Sequence, residues 1–152
     1  MTDKTDKYIT LPKRPFDYSG HVLNYKTSCG SLFLTVSADN AGNPTEVFIV
    51  RGNSGGCAQA FSEALGKMVS VALRSGFDPN EIIKLFTQIR CDGGSWQDGK
   101  RVTSCPGAIA LAIQYVLDRR KVVEQADVVE DSPEEVEARL KALADERIKQ
   151  GI

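Results

Sequence analysis

Four cysteines are the residues best equipped for chemistry in this 152-residue chain: Cys29, Cys57, Cys91 and Cys105, separated by 28, 34 and 14 positions. Cys105 lies in "TSCPGAIALAIQYVL", directly ahead of an apolar stretch with helical spacing. A thiolate at a helix start is stabilised by unpaired N–H groups and the helix dipole, which suits a metal ligand or a reactive thiol better than packing. Cysteines that merely fill a core should fall inside the periodic apolar stripes, and none of the four does. Gly30, Gly55, Gly56, Pro106 and Gly107 flank them and allow tight bends that aim N–H groups at sulfur. We therefore expect at least three of the four to share one metal or redox site. Redox exchange ranks last, because no Cys-X-X-Cys pair occurs. A closed structural site would use all four thiolates, whereas a cluster scaffold needs three and an exchangeable position, so Cys91 discriminates the two.

Other residues offer less. His21 is the single histidine and would be an alternative fourth ligand, although a histidine at a strand edge is more often solvated. Trp96, in the glycine-rich "CDGGSWQDGK", could stack on a base or a protein partner, or cover the metal site. Lys100, Arg101, Arg119, Arg120 and Lys121 could form a patch for a nucleotide or nucleic acid, against the usual reading of scattered solvated charges. "RGNSGGCAQA" lacks the lysine of a phosphate-binding loop, and one histidine at a strand start supports no Ser/His/Asp arrangement. No self-contained hydrolase is indicated.

The elements that must position the cysteines are legible in outline. "HVLNYKT", "SLFLTVS" and "TEVFIVR" are rich in β-branched and aromatic residues, and "ADNAGNP" has hairpin-loop chemistry, so a three-stranded antiparallel meander is expected. The turn near Gly42 then sets Cys29 opposite residues 51 to 55, close to Cys57. A helix from Cys57 to Arg74 should bury Ala60, Phe61, Ala64, Leu65, Met68, Val71 and Ala72. Asp78, Pro79 and Glu81 start a second helix. "RCDGGSWQDGKRVTS" reads as loop. A third helix from Cys105 should bury Ile109, Ala112, Ile113 and Val116, and "KVVEQADVVED" reads as linker. A last helix, capped by Ser132 with Pro133 at its start, carries a narrow seam of Val136, Leu140 and Leu143 that should pack on its own domain. The fold class is α+β, with helices packed on one face of the meander and a C-terminal helix added.

Composition bounds the alternatives. With 41% hydrophobic and 26% charged residues, the chain suits one ordinary domain with a real core. Residues 1–19 read as an extended arm, 20–118 as the metal-binding domain and 119–152 as linker and charged helix. The net charge of −1 argues against a dedicated nucleic-acid binder, although residues 1–123 hold 15 Lys/Arg against 11 Asp/Glu and the rest is acidic. No apolar run approaches a membrane span, and "MTDKTDKYITLPKRP" has no signal-peptide core, so a cytoplasmic protein without membrane partners is expected.

"LPKRP", "TSCGSLFLTV", "GNSGGCAQAFSEALGKMVSVALRSG", "IRC" and "VTSCPGAIALAI", in that order over residues 11–117, resemble the TSCPD domain, found at the C-terminus of adenosylcobalamin-dependent (class II) ribonucleotide reductases and as small free-standing proteins. The chain departs from the family's name motif at Gly107, where Asp would be expected. The resemblance implies a zinc-binding accessory module of deoxynucleotide synthesis, with Cys29, Cys57, Cys91 and Cys105 as ligands and ribonucleotide reductase or another protein as partner. It implies no reduction of ribonucleotides by this chain alone, since the reductase barrel and a cobalamin site are not in it. More distantly, the order of Cys-Gly strand, Gly-rich loop with Cys, long helix and final Cys-led helix is similar to iron–sulfur scaffolds of the IscU and NifU type. There Cys29, Cys57 and Cys105 would be the scaffold cysteines and an iron–sulfur cluster the alternative cofactor. Ser31 and Ser104 replace that family's aspartate and histidine.

Overall fold

A computed structural model describes residues 8–52, 56–126 and 133–150. The expected cap Ser132, part of the expected linker, Gly55 and the first seven residues lie outside them. Strands β1 (Ser19–Thr27), β2 (Gly30–Ala38) and β3 (Pro44–Arg51) form an antiparallel sheet in the order β1-β2-β3. Its register pairs Tyr25 with Leu32, and Leu34 with both Leu23 and Ile49. Helices α1 (Cys57–Arg74), α2 (Pro79–Thr87), α3 (Cys105–Ala126) and α4 (Pro133–Gln150) complete the expected α+β architecture. Two segments differ. The stretch from Lys121 read as linker continues α3 to Ala126, and Val122 within it is fully buried, so an apolar contact extends the helix through a sequence with no stop signal. The second is the stretch read as loop, which contains a hairpin, β4 (Ser95–Gln97) and β5 (Lys100–Val102), turned by Asp98 and Gly99, both at positive φ. That pair of left-handed residues is what a two-residue hairpin turn requires, and Asp-Gly supplies it.

Helix α3 is the centre of the core. Ala108, Ile109, Ala112 and Ile113 are fully buried, and Val116 nearly so, against Leu32, Leu34, Val36, Val47 and Ile49 of the sheet. The stripe expected for this helix is the one it buries. Helix α2 packs on α3 through Ile82, and its start is capped by the Asp78 carboxylate, which accepts from the Asn80 N–H at 2.9 Å. The opposite sheet face leaves Val22, Phe33, Phe48 and Val50 exposed.

Helix α1 does not bury the expected face. Ser62, Gly66, Val69, Ser70 and Leu73 face inward, Leu65 and Ala72 are partly buried, and Phe61 and Met68 stand 76% and 65% exposed. The reason is contact with backbone. α1 lies along the outer edge of β3, where the Ser70 hydroxyl accepts from the Val47 N–H at 2.9 Å and is 3.1 Å from the Val47 carbonyl. A Cβ on Gly66 would stand 3.0 Å from that carbonyl and from the Ile49 side chain. So close an approach demands small residues, which apolar periodicity does not register.

The arm is partly tied down. Arg14 Nε lies 2.6 Å from a carboxylate oxygen of Glu46, a side chain buried in β3, and Arg74 of α1 lies 3.6 Å from the same oxygen. Arg74 also donates to the Pro12 carbonyl. Two cations on one buried carboxylate are what its burial requires.

Ser70→Ala removes the hydroxyl that satisfies the Val47 edge, so it should destabilise the domain by about 1–3 kcal/mol in urea denaturation. A change within error would show that water replaces it. Helix α4 packs on α3 through the half-buried Val136, Leu140 and Leu143. Truncation before Ser132 should leave a soluble, cooperatively unfolding domain, and loss of soluble protein would place α4 in the core.

Candidate metal centre

Both ends of the site are built from the same tripeptide. Thr27-Ser28-Cys29 makes the tip of the β1–β2 hairpin, and Thr103-Ser104-Cys105 leads into α3. At the first, the Thr27 hydroxyl donates to the Gly30 carbonyl at 2.9 Å and accepts from the Cys29 N–H at 3.2 Å, holding a turn that Gly30 closes at φ 110°. At the second, the Ser104 hydroxyl accepts from the Gly107 N–H at 2.9 Å as the helix cap and donates to the Ile89 carbonyl at 2.8 Å. The Cys105 thiol reaches the Thr27 hydroxyl at 3.8 Å, so the two triplets meet. The same packing bears on the departure at Gly107: a Cβ there would stand 2.7 Å from Thr103 Oγ1 and 3.2 Å from Ser104 Oγ.

Arg51, the last residue of β3, joins them. Its guanidinium donates through Nη1 to Cys105 Sγ at 3.3 Å and through Nη2 to the Cys29 carbonyl at 2.8 Å. Its backbone N–H donates to Gln59 Oε1 at 3.2 Å, tying it to the first turn of α1 just after Cys57. Partial burial works to lower the Arg51 pKa, but the Cys105 and Cys29 groups outweigh it and hold it above its ordinary value.

Cys91 enters from the other side. Its N–H donates to the Thr103 carbonyl at 2.9 Å, two residues before Cys105, and a Cβ added to Gly93 would stand 3.8 Å from the Ser28 side chain. The hairpin that follows is fastened along β1: Gln97 accepts from the Lys26 N–H at 2.9 Å and donates to the Asn24 carbonyl at 2.6 Å, and Ser95 donates to the Lys26 carbonyl. All four cysteine-bearing segments thus gather at one end of the sheet. Cys29 and Cys105 share Arg51, while Cys57 and Cys91 are exposed on the flanking segments. Among the described residues, no three His, Cys, Asp or Glu side chains are grouped tightly enough to hold a metal ion.

His21 is elsewhere. Its ring packs edge-on against Tyr115 of α3, centroids 5.4 Å apart, six residues along β1 from Thr27 and so about 20 Å away. Trp96 is 73% exposed and pairs across the hairpin with Arg101. The residues that spacing did not single out are Arg51 and the Thr27 and Ser104 hydroxyls. The repeated Thr-Ser-Cys triplet was the available signal for the last two.

The family model described as the TSCPD domain matches residues 7–117. Neither a curated protein nor a solved structure matches the chain at a significant level. No helix among the described residues is long and apolar enough to cross a membrane.

Burial, and secondarily the Arg119 cation, hold the His21 pKa below its ordinary value. The unfolded chain therefore binds this proton more readily, so the His21 contribution is fully present above about pH 6.5 and falls as the pH drops below it. Melting temperatures at pH 5.5 and 7.5 should differ less in His21→Gln than in the wild type, and an equal difference would remove His21 from the pH response.

Proposed function

The chain belongs to the TSCPD-domain family, a domain associated with ribonucleotide reductases, and from that premise we propose that it is a small cytoplasmic zinc-binding accessory module of deoxynucleotide synthesis, non-catalytic by itself. The observation that carries the reading is the meeting of the two Thr-Ser-Cys triplets around Arg51, with the Cys57 and Cys91 segments tied to the same end of the sheet. The donor chemistry fits zinc. Four thiols with no carboxylate among them are soft sulfur ligands, and the adjacent guanidinium offsets the negative charge that four thiolates leave on a divalent ion. Cys29, Cys57, Cys91 and Cys105 would hold the ion, which would supply a cross-link between the sheet, α1 and α3. A four-sulfur site keeps no position for water or substrate and so performs no Lewis-acid step. The partner would be a ribonucleotide reductase or another protein of that process.

An iron–sulfur scaffold is the competing account. Ser104 speaks against it: the position where such scaffolds carry a histidine ligand is 1% exposed here, and its hydroxyl caps α3 and bonds the Ile89 carbonyl.

Protein purified anaerobically should contain close to one equivalent of zinc and show an all-sulfur environment by X-ray absorption. Serine at Cys29, Cys57, Cys91 or Cys105 should each lower zinc content and melting temperature together, as should a chelator on the wild type. A brown protein with iron and labile sulfide, or a Cys91→Ser variant that retains metal on three sulfurs and a light atom, would favour the scaffold.

A further inference from the structure

We propose that Arg51 is the positioning residue of the thiolate site: its guanidinium sets the sulfur of Cys105 and the backbone of Cys29 for a common metal ion. The inference rests on the zinc reading and adds to it a residue that is not a ligand. Three elements meet at this one side chain and its own backbone. Nη1 addresses Cys105 Sγ at 3.3 Å, Nη2 addresses the Cys29 carbonyl at 2.8 Å, and the Arg51 N–H is held by Gln59 of α1 at 3.2 Å. Nη1 is also 3.5 Å from the hydroxyl of Ser62, a buried residue one turn further along α1.

The geometry of the group explains why arginine stands here. A planar fork can donate to two acceptors in fixed relative directions, while a lysine ammonium would supply a point charge without that direction. The backbone carbonyl of Cys29 fixes one arm, so the other arm is aimed and Cys105 sulfur lies where it points. A donor held on a ligating sulfur orients that ligand and offsets its charge, as outer partners of metal ligands generally do. Arg51 is itself fixed at both ends: β3 pairs Arg51 with Leu32, and the Gly52 N–H donates to the Ser31 carbonyl at 3.1 Å beyond it. The guanidinium therefore hangs from a strand end that is part of the sheet, and the sheet's register sets the height of the sulfur site.

Arg51→Met and Arg51→Lys separate positioning from charge. Zinc affinity is read by competition with a colorimetric chelator, ligand geometry by the sulfur-to-cobalt charge-transfer band of cobalt-loaded protein, and zinc-free order by hydrogen exchange over residues 27–31 and 103–108. Arg51→Met should bind zinc about 10–100-fold more weakly, with a shifted cobalt band and faster exchange in both segments. Arg51→Lys, which is also the fallback where Arg51→Met does not fold, should fall between the two. Zinc-loaded wild type with an equally tight Arg51→Met overturns this inference alone. Arg51→Lys matching the wild type in affinity and cobalt spectrum reduces the residue to its charge and overturns positioning. Wild type that takes up no zinc overturns the zinc reading and this inference with it.

Discussion

The outer edge of β3 is the constraint on which the rest of the site depends. An edge strand presents backbone groups that must find partners or water. Here a helix supplies them: Ser70 satisfies Val47, Gln59 takes the Arg51 N–H, and Gly66 lets the two backbones close between those points. The pairing runs antiparallel, helix residues 59 to 70 against strand residues 51 to 47. It therefore sets the N-terminus of α1, and with it Cys57, at the strand end that carries Arg51. The position of one cysteine follows from how an edge is closed.

The remaining cysteines are located by hydroxyls and carbonyls rather than by packing. Thr27 shapes the hairpin tip that bears Cys29, Ser104 caps the helix that Cys105 leads, and the Ile89 and Thr103 carbonyls tie the Cys91 segment to that same cap. The core proper, Leu32 to Val36 against Ile109 to Val116, sits deeper along the sheet. Below it the molecule is held by apolar burial, and at the cysteine end by directed polar contacts.

That division explains what the sequence made legible. The meander, the α3 stripe and the start of α2 rest on periodicity, turn chemistry and capping, all of which are local signals. The inward face of α1 was misread because Phe61 and Met68 have the right spacing and apolarity, whereas the true contact is backbone against Gly66 and Ser70. Asp98-Gly99 is a strong turn signal, but its three-residue strands, Ser-Trp-Gln and Lys-Arg-Val, carry too little apolar alternation to read as a hairpin. Among the site residues, the cysteines announced themselves by type. Arg51 did not, because an arginine at a strand end is ordinary until the fold brings two cysteine-bearing turns beneath it.

The placement of the thiols also separates their chemistry from the stability of the core. Cys29, Cys57 and Cys91 are exposed and Cys105 is half-buried, so a serine at any of the first three opens no cavity. The exception is Cys105, whose sulfur accepts from Arg51 and touches Thr27. Exposed small side chains contribute little to folding by themselves, so a large common loss of stability on replacing them has to come from something they hold jointly. A cross-link between the hairpin tip, the start of α1, the Cys91 segment and the start of α3 has that property, because each removal opens the same closure. Four unrelated surface thiols would instead give four small and independent effects.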